Sequence, residues 1–517
     1  MKYLPLLAAC AFISIGCGGG KGKGEGNMPP AADAARADVG PVLDTAPELD
    51  AAAGPDATGA GDVAPDTSVA DENTADTPAA DAKPPAVTAL HAGFTSTCAV
   101  FDSGRIKCWG ANHSGQLGLG DTRPRGDQPG TMGAGLPPVE LGDGARVVAM
   151  AIGAAHACAL LDGGQIKCWG DNTHGQLGAG VFQSVVGDQP GEMGDKLPAI
   201  DFGEGRRAVS IAAGPHHNCA VLEGGAVKCW GHNTSGNLGL GMTGAAWPPE
   251  PGPLRAAVDL GTGRSAIAAA AGGAFSGLQD FARSSAFSCA LLDNRQVKCW
   301  GGDGIYGAVG EPRVRVRGAV PGDMGDNMPA LRFGGRSVHQ AVMGAGHGCA
   351  VLDDHQVRCW GNSHQDQDGR GAAQGTVDDP YVPVNFGPGR TAIAVAVSAV
   401  TTFIDEAHSC AVLDNASATC WGANWHGQLG QPGCPGSSGS AGCRGGSING
   451  PLPAVDLGNG RRVQMIAPGG RHTCALIDGG QVKCWGDNEF GQLGLEDIVV
   501  RGMNPGDLGD HLPVVAL

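Results

Sequence analysis

Cysteine is the residue whose spacing carries the most chemistry in this 517-residue chain. Fourteen of its 18 cysteines fall into seven Cys-x9-Cys pairs. These are Cys98 with Cys108, Cys158 with Cys168, Cys219 with Cys229, Cys289 with Cys299, Cys349 with Cys359, Cys410 with Cys420, and Cys474 with Cys484. Each pair brackets a short turn, Asp-Gly-Gly or a near equivalent, so the two thiols should face each other across an antiparallel hairpin. Opposed Cα atoms there lie ~4.5–5.5 Å apart, within disulfide range. Seven cross-strand disulfides are expected, with buried reduced thiols as the alternative. Zinc fits less well, because one hairpin offers two thiolates and no Cys-x-x-Cys occurs. An eighth pair, Cys434 with Cys443, lies in a Gly/Ser-rich insertion that a bond would staple. So many cysteines without metal spacing point to an oxidising compartment.

Other residues invite chemistry less strongly. His156, His217, His347, His408 and His472 each precede a paired cysteine by two residues, whereas Ser96 and Phe287 stand at that place in two copies. A ring of channel-lining imidazoles would suggest a metal, but a repeated histidine bonding blade backbone is the simpler expectation. Seven of nine tryptophans belong to Cys-Trp-Gly and read as packing. Trp247 and Trp425 do not, and with Phe275 they are the candidates for ligand contact. A Gly-Asp-rich motif recurs at 187–195, 318–326 and 503–510. Its acidic turns are candidate Ca2+ ligands, with a structural loop as the favoured reading. Paired catalytic carboxylates, a nucleophile elbow and a phosphate loop are all missing, so no catalytic residue, cofactor or metal is assigned.

The elements that hold these residues come from a repeat. Cys-Trp-Gly recurs at 108–110, 168–170, 229–231, 299–301, 359–361, 420–422 and 484–486. Such a period marks a repeat architecture. Each unit offers four short apolar strands, and four strands in seven repeats predict a β-propeller. Glycine, 90 residues of the chain, disfavours helices, at about 1 kcal/mol per helical glycine relative to alanine. The first copy lacks an opening Leu-Pro-x-Val-x-Leu strand, and residues 512–517 supply one. The two chain ends are therefore expected to complete one blade and close the ring.

The run Gly-x-x-His-x-Cys-Ala-Leu, followed by Val-Lys-Cys-Trp-Gly-x-Asn-x-x-Gly-Gln-Leu-Gly, resembles the regulator of chromosome condensation repeat. The resemblance covers essentially all of 86–517 and implies the same seven-bladed propeller. The chain is also similar to the bacterial propeller inhibitor of β-lactamase. The nuclear relatives imply guanine-nucleotide exchange on a small GTPase, a function that export would remove. A propeller-type inhibitor and a polysaccharide-acting enzyme are the further alternatives, the enzyme requiring a singular Asp/Glu/His cluster on one rim.

The N-terminus supplies the export argument. Lys2 precedes an apolar stretch too short to span a bilayer, ending at Ser14-Ile15-Gly16-Cys17. This segment resembles a bacterial lipobox, so residues 1–17 read as a signal peptide and Cys17 as the lipidated residue, with Cys10 as the alternative. Gly18 implies an outer-membrane or surface lipoprotein of a Gram-negative-type bacterium. Residues 18–85 hold thirteen acidic against four basic residues and no aromatic ring. That composition predicts a disordered linker. The formal charge of −17 disfavours nucleic acid, which needs basic stripes. The expectation is a monomeric binding propeller with an unknown protein or glycan ligand, held to the membrane only by its lipid. The large insertions, 273–287, 398–407 and 431–450, all fall at the end opposite the short turns, which marks that face for binding.

Overall fold

The computed structural model describes residues 85–517 except 179, 245–255, 275–285, 303–306, 310–315, 362–381, 399, 402–405 and 432–450. The leader with Cys17, the linker, Trp247, Phe275, and the expected pair of Cys434 and Cys443 lie outside the described residues.

The blade built from the second repeat shows how the sequence makes the fold. An inner strand, Val147–Ile152, pairs antiparallel with His156–Leu161, which pairs antiparallel with Ile166–Asp171. Every residue of the middle strand His156–Leu161 is buried, because neighbouring blades cover both faces. This explains the continuous apolar run His-Ala-Cys-Ala-Leu-Leu where a one-sided strand would alternate. All seven inner strands carry a register shift at their second residue. A bulge re-aims a side chain, and Val148, Val209, Ile267 and Ile393 at those positions are exposed. The glycine of Cys-Trp-Gly closes the third strand at positive φ, as in Gly170 (φ 101°). A Cβ there would run into the Ala155 carbonyl and the His156 backbone.

Seven such units make a closed seven-bladed β-propeller. The inner strands Val87–Ala92, Val147–Ile152, Ala208–Ala213, Ala266–Ala274, Val338–Met343, Ala392–Val397 and Val463–Pro468 each touch the next, and the last touches the first. All seven line one axial channel of about 240 Å³.

Two expectations are corrected. The fourth strand is not continuous: the third strand Ile166–Asp171 pairs with Val185–Val186 near one end and makes only a bridge from Lys167 to Ala199 near the other. The Gly-Asp-rich turn and a 3-10 segment, Gly194–Lys196, intervene, and Pro198 has no N–H for the ladder. Nor do the chain ends share a blade. Leu-Pro-x-Val-x-Leu is the outer edge of its own Cys-Trp-Gly copy, with Val139 N donating to Ile106 O and Ile200 N to Ile166 O. Residues 512–517 likewise pair within the last blade, Val515 N to Val482 O. Each blade is therefore continuous in sequence, and Gly-x-Gly-Arg is the crossover from the outside of one blade to the inside of the next.

Candidate functional site

The cysteines of each described pair stand opposite each other in register on the middle and third strands. Cys98 faces Cys108, Cys158 faces Cys168, Cys219 faces Cys229 and Cys289 faces Cys299. In the last three blades Cys349 faces Cys359, Cys410 faces Cys420 and Cys474 faces Cys484. In all seven the sulfurs lie at disulfide distance, with Cα atoms 4.0–4.1 Å apart. That is somewhat closer than the spacing expected for opposed strand residues. The fourteen described cysteines are sealed in the blade cores, at most 5% exposed, so they brace the hairpins and offer nothing to a ligand.

The repeated histidines are also internal, each fully buried. Each reaches across a seam to the side chain between His and Cys in the next blade: His156 Nε2 to Asn218 Oδ1 (3.0 Å), His217 to Ser288 (3.0 Å), His347 to Ser409 (2.8 Å), His408 to Thr473 (2.8 Å) and His472 to Thr97 (2.8 Å). The partner is thus a side chain of the neighbouring blade, with the Phe287 backbone adding a further hydrogen bond at His217, which corrects the expectation of backbone partners alone. That partner also donates to a carbonyl: Thr473 to Gln428 O, Ser288 to Asn237 O, Thr97 to Gln492 O, and the Asn218 amide to Gln176 O. A hydroxyl has one proton, so the histidine must donate through Nε2 and its Nδ1 is the unprotonated nitrogen. Burial without a counter-charge pushes His217, His347, His408 and His472 down to about 3. The two copies without histidine obey the same rule. Where Ser96 and Phe287 replace the histidine, the place of the next blade's partner side chain is taken by Ala157 and Gly348, so the imidazole and its side-chain acceptor are absent together.

The indole N–H of Cys-Trp-Gly uses the same carbonyls. Trp169 donates to Gln116 O, Trp230 to Gln176 O, Trp300 to Asn237 O and Trp485 to Gln428 O, each at 3.0 Å. The Gln-Leu-Gly loop of one blade is thereby the socket for the tryptophan of the next.

The Gly-Asp-rich motif is structural in the same manner. Asp195 accepts from the Asp143 N–H, Asp326 from the N–H and hydroxyl of Thr262, and Asp510 from the N–H and amide of Asn459. Glu192 and Asp507 cap N–H groups inside the motif. These carboxylates lock crossovers and tight turns.

The two ends of the propeller differ. One carries Asp-Gly-Gly and the crossover, tied together by Arg146 to the Asp102 and Ser103 carbonyls and by Arg264 to Asp293. The bulged apolar residues lie at this end. The other end carries the loops after Cys-Trp-Gly and before His-x-Cys. There the described stubs of two insertions meet: Gly273 and Ala274 pair in parallel with Val400 and Thr401. Arg471 and Glu406 form an ion pair at 2.6 Å. Trp425 is half-buried in the neighbouring loop, which Asn424 braces by accepting from Leu429 N (3.0 Å).

One constellation at this end was missed from the sequence. Asp171 and His174 of the second blade and His216 of the third place one potential ligand atom each within 4.8 Å of one another, and the His232 ring stands 4.8 Å from His174. The available signal was departure from the repeat: Thr95, Ala155, Gly346, Ala407 and Arg471 occupy the place of His216 in other copies.

A closed propeller on which the described stubs of two insertions meet at one end is a scaffold for presenting loops. Models of the regulator of chromosome condensation repeat match residues 87–116, 147–176, 208–237, 338–367 and 466–492, and, in a longer form, 103–160 and 164–221. The chain is 30% identical over 360 residues to a mitochondrial RCC1 domain-containing protein, RUG3, of Arabidopsis thaliana, covering 65% of this chain and 68% of that one. It is 27% identical over 428 residues to the ultraviolet-B receptor UVR8 of the same plant, 81% of each chain. The crystal structure of Prp20p from Saccharomyces cerevisiae, a protein studied for its binding to Gsp1p and histones, superposes with a TM-score of 0.52 at 19% identity, over 80% of this chain and 85% of that one. The chain belongs to the regulator of chromosome condensation repeat family.

Proposed function

We propose that this protein is an exported, lipid-anchored module that binds a protein partner through its long-loop face. The observation that carries the reading is the segregation of its non-repeated material. The stubs at 273–274 and 400–401, the Arg471–Glu406 pair and Trp425 all gather at one end, while the other end repeats two short turns. Half-buried aromatic residues are the usual anchors of protein interfaces, which gives Trp425 its role. A protein ligand is favoured over a glycan by relatives such as Prp20p, studied for its protein partners. Buried cysteine pairs at disulfide distance fit an oxidising, extracytoplasmic setting. Among the described residues no helix is long and apolar enough to cross a membrane, and Cys17 supplies the anchor through its lipobox-like context.

Site-specific photocrosslinking in intact cell envelopes tests the face. A crosslinker at position 425 should yield a discrete adduct that one at position 163, in the Asp-Gly-Gly turn, does not. Adducts arising instead around Val209 and Ile267 would assign binding to the short-turn end. Cys17→Ser should move the protein from the membrane to the soluble fraction, whereas Cys10→Ser should leave it bound.

A further inference from the structure

The seam between the second and third blades breaks the repeat with chemistry that packing does not require. Asp171 follows Cys-Trp-Gly, His174 sits in the next turn, and His216 comes from the connector leading into the third blade's middle strand. Their side chains converge at the rim: Asp171 and His216 are only 15% and 17% exposed, and His216 Nδ1 lies 4.0 Å from Asp171 Oδ2. We propose that Asp171, His174 and His216 form a binding site for one divalent first-row transition cation, Zn2+ being the natural occupant.

The donor set and its supports suit that ion. Imidazole nitrogen with carboxylate oxygen is the combination Zn2+ takes at bond lengths of about 2.0–2.2 Å, with a fourth position left for water or another ligand. Ligand atoms of such a tetrahedron stand roughly 3.3 Å apart, so this cluster, within 4.8 Å, must contract by rotamer adjustment alone. The carboxylate is oriented by three donors: Thr173 N to Oδ1, and the Thr173 hydroxyl and Gln176 Nε2 to Oδ2. A carboxylate has about four lone-pair sites, so one remains. Because the Thr173 hydroxyl gives its proton to Asp171, it must accept from His174 Nδ1, 3.0 Å away. That bond fixes the His174 tautomer with the proton on Nδ1 and Nε2 as the unprotonated nitrogen, the arrangement found behind metal-bound histidines. His232 packs edge-on against His174 at 4.8 Å and closes the cluster on one side.

The other seams differ. In the sixth blade His426 stands at the place of His174, but Ala423 replaces the aspartate and the next blade contributes Arg471. In the last blade Asp487 is present, but Phe490 replaces the histidine. Among the described residues no other group of three potential ligands converges in this way.

Calorimetric titration of chelator-treated, non-reduced full-length protein with ZnCl2 tests the site, with Co2+ spectra identifying the donors. One equivalent should bind, and Co2+ should give tetrahedral ligand-field bands without thiolate charge transfer. His174→Ala and His216→Ala should each weaken binding at least ~10-fold, as should the shape-preserving Asp171→Asn. The rim variant His511→Ala should bind like the parent. All four variants should keep the parent near-ultraviolet circular dichroism. No saturable equivalent, unchanged affinity when His174→Ala and His216→Ala are combined, or a thiolate-to-cobalt band would each overturn the assignment.

Discussion

Trp109 of the first blade donates its indole N–H at 3.0 Å to the main-chain carbonyl of Gln492, 383 residues later in the last blade. The same carbonyl accepts from the Thr97 hydroxyl, which in turn receives the Nε2 proton of His472. The seam where the chain's ends meet is thus built like the seams between consecutive repeats. Glu496 adds bonds to the N–H groups of Gly130 and Met132, and Gly133 N donates to Ala516 O. Closure is made by interlocked loops and side chains, with no strand exchanged between the terminal blades.

Thr97→Val tests that seam. The change keeps the shape but leaves the His472 N–H buried without an acceptor, a loss of about 1–3 kcal/mol. Urea denaturation should show a lower midpoint with an unchanged m-value. The equivalent Thr473→Val at the preceding seam should cost a similar amount; a much smaller effect of Thr97→Val would mean that the closing seam bears little load.

Acid should unfold the ring from an unusually high pH. His217, His347, His408 and His472 are held near 3 when folded, against about 6.5 when unfolded. The unfolded chain therefore binds more protons. Stability is fully present above pH 6.5 and is lost as pH falls through that value toward 3. Each histidine contributes a slope of roughly 1.4 kcal/mol per pH unit within the window. His217→Gln retains an N–H donor but cannot titrate, so its stability–pH profile should be shallower between pH 6 and 4. A profile parallel to that of the parent would show that His217 is not among the groups responsible.

Glycine at the third residue before the histidine is required for space. A Cβ on Gly153, Gly214, Gly344 or Gly469 would strike the imidazole of His156, His217, His347 or His472. Gly153→Ala should destabilise by about 1–3 kcal/mol through overpacking. Gly163→Ala is the contrast, because nothing lies within 4 Å of a Cβ there. It should be neutral or mildly stabilising, since alanine lowers unfolded-state entropy. Equal thermal shifts for the two would contradict the packing argument.

The cysteine pairs predict protection from alkylation. In exported, non-reduced protein, mass spectrometry should find no labelled cysteine among the seven described pairs, even after unfolding in urea. Each short loop closure contributes about 2–3 kcal/mol, so reduction should lower the thermal midpoint in a single broad step. Several labelled cysteines would place the protein in a reducing compartment.

The sequence by itself determined whatever is local to one hairpin. Cys-x9-Cys around a tight turn puts two residues opposite each other by strand geometry alone, and seven recurrences of Cys-Trp-Gly declare seven blades. The histidine partners were half legible: Ser96 and Ala157, and Phe287 and Gly348, lapse together one repeat apart, a correlation visible only once the seam is known. The tertiary structure decided everything that joins one blade to the next. It set the blade boundary at the Gly-x-Gly-Arg crossover, because the Ile106 and Ile166 carbonyls bond the following Leu-Pro-x-Val-x-Leu segment instead of the preceding one. It broke the outer strand at a proline and a tight acidic turn. It also brought Asp171 and His174 to His216. Strand pairing is encoded over a few residues, whereas the approach of two loops on adjacent blades is set by the rotation between blades, to which no single repeat holds the key.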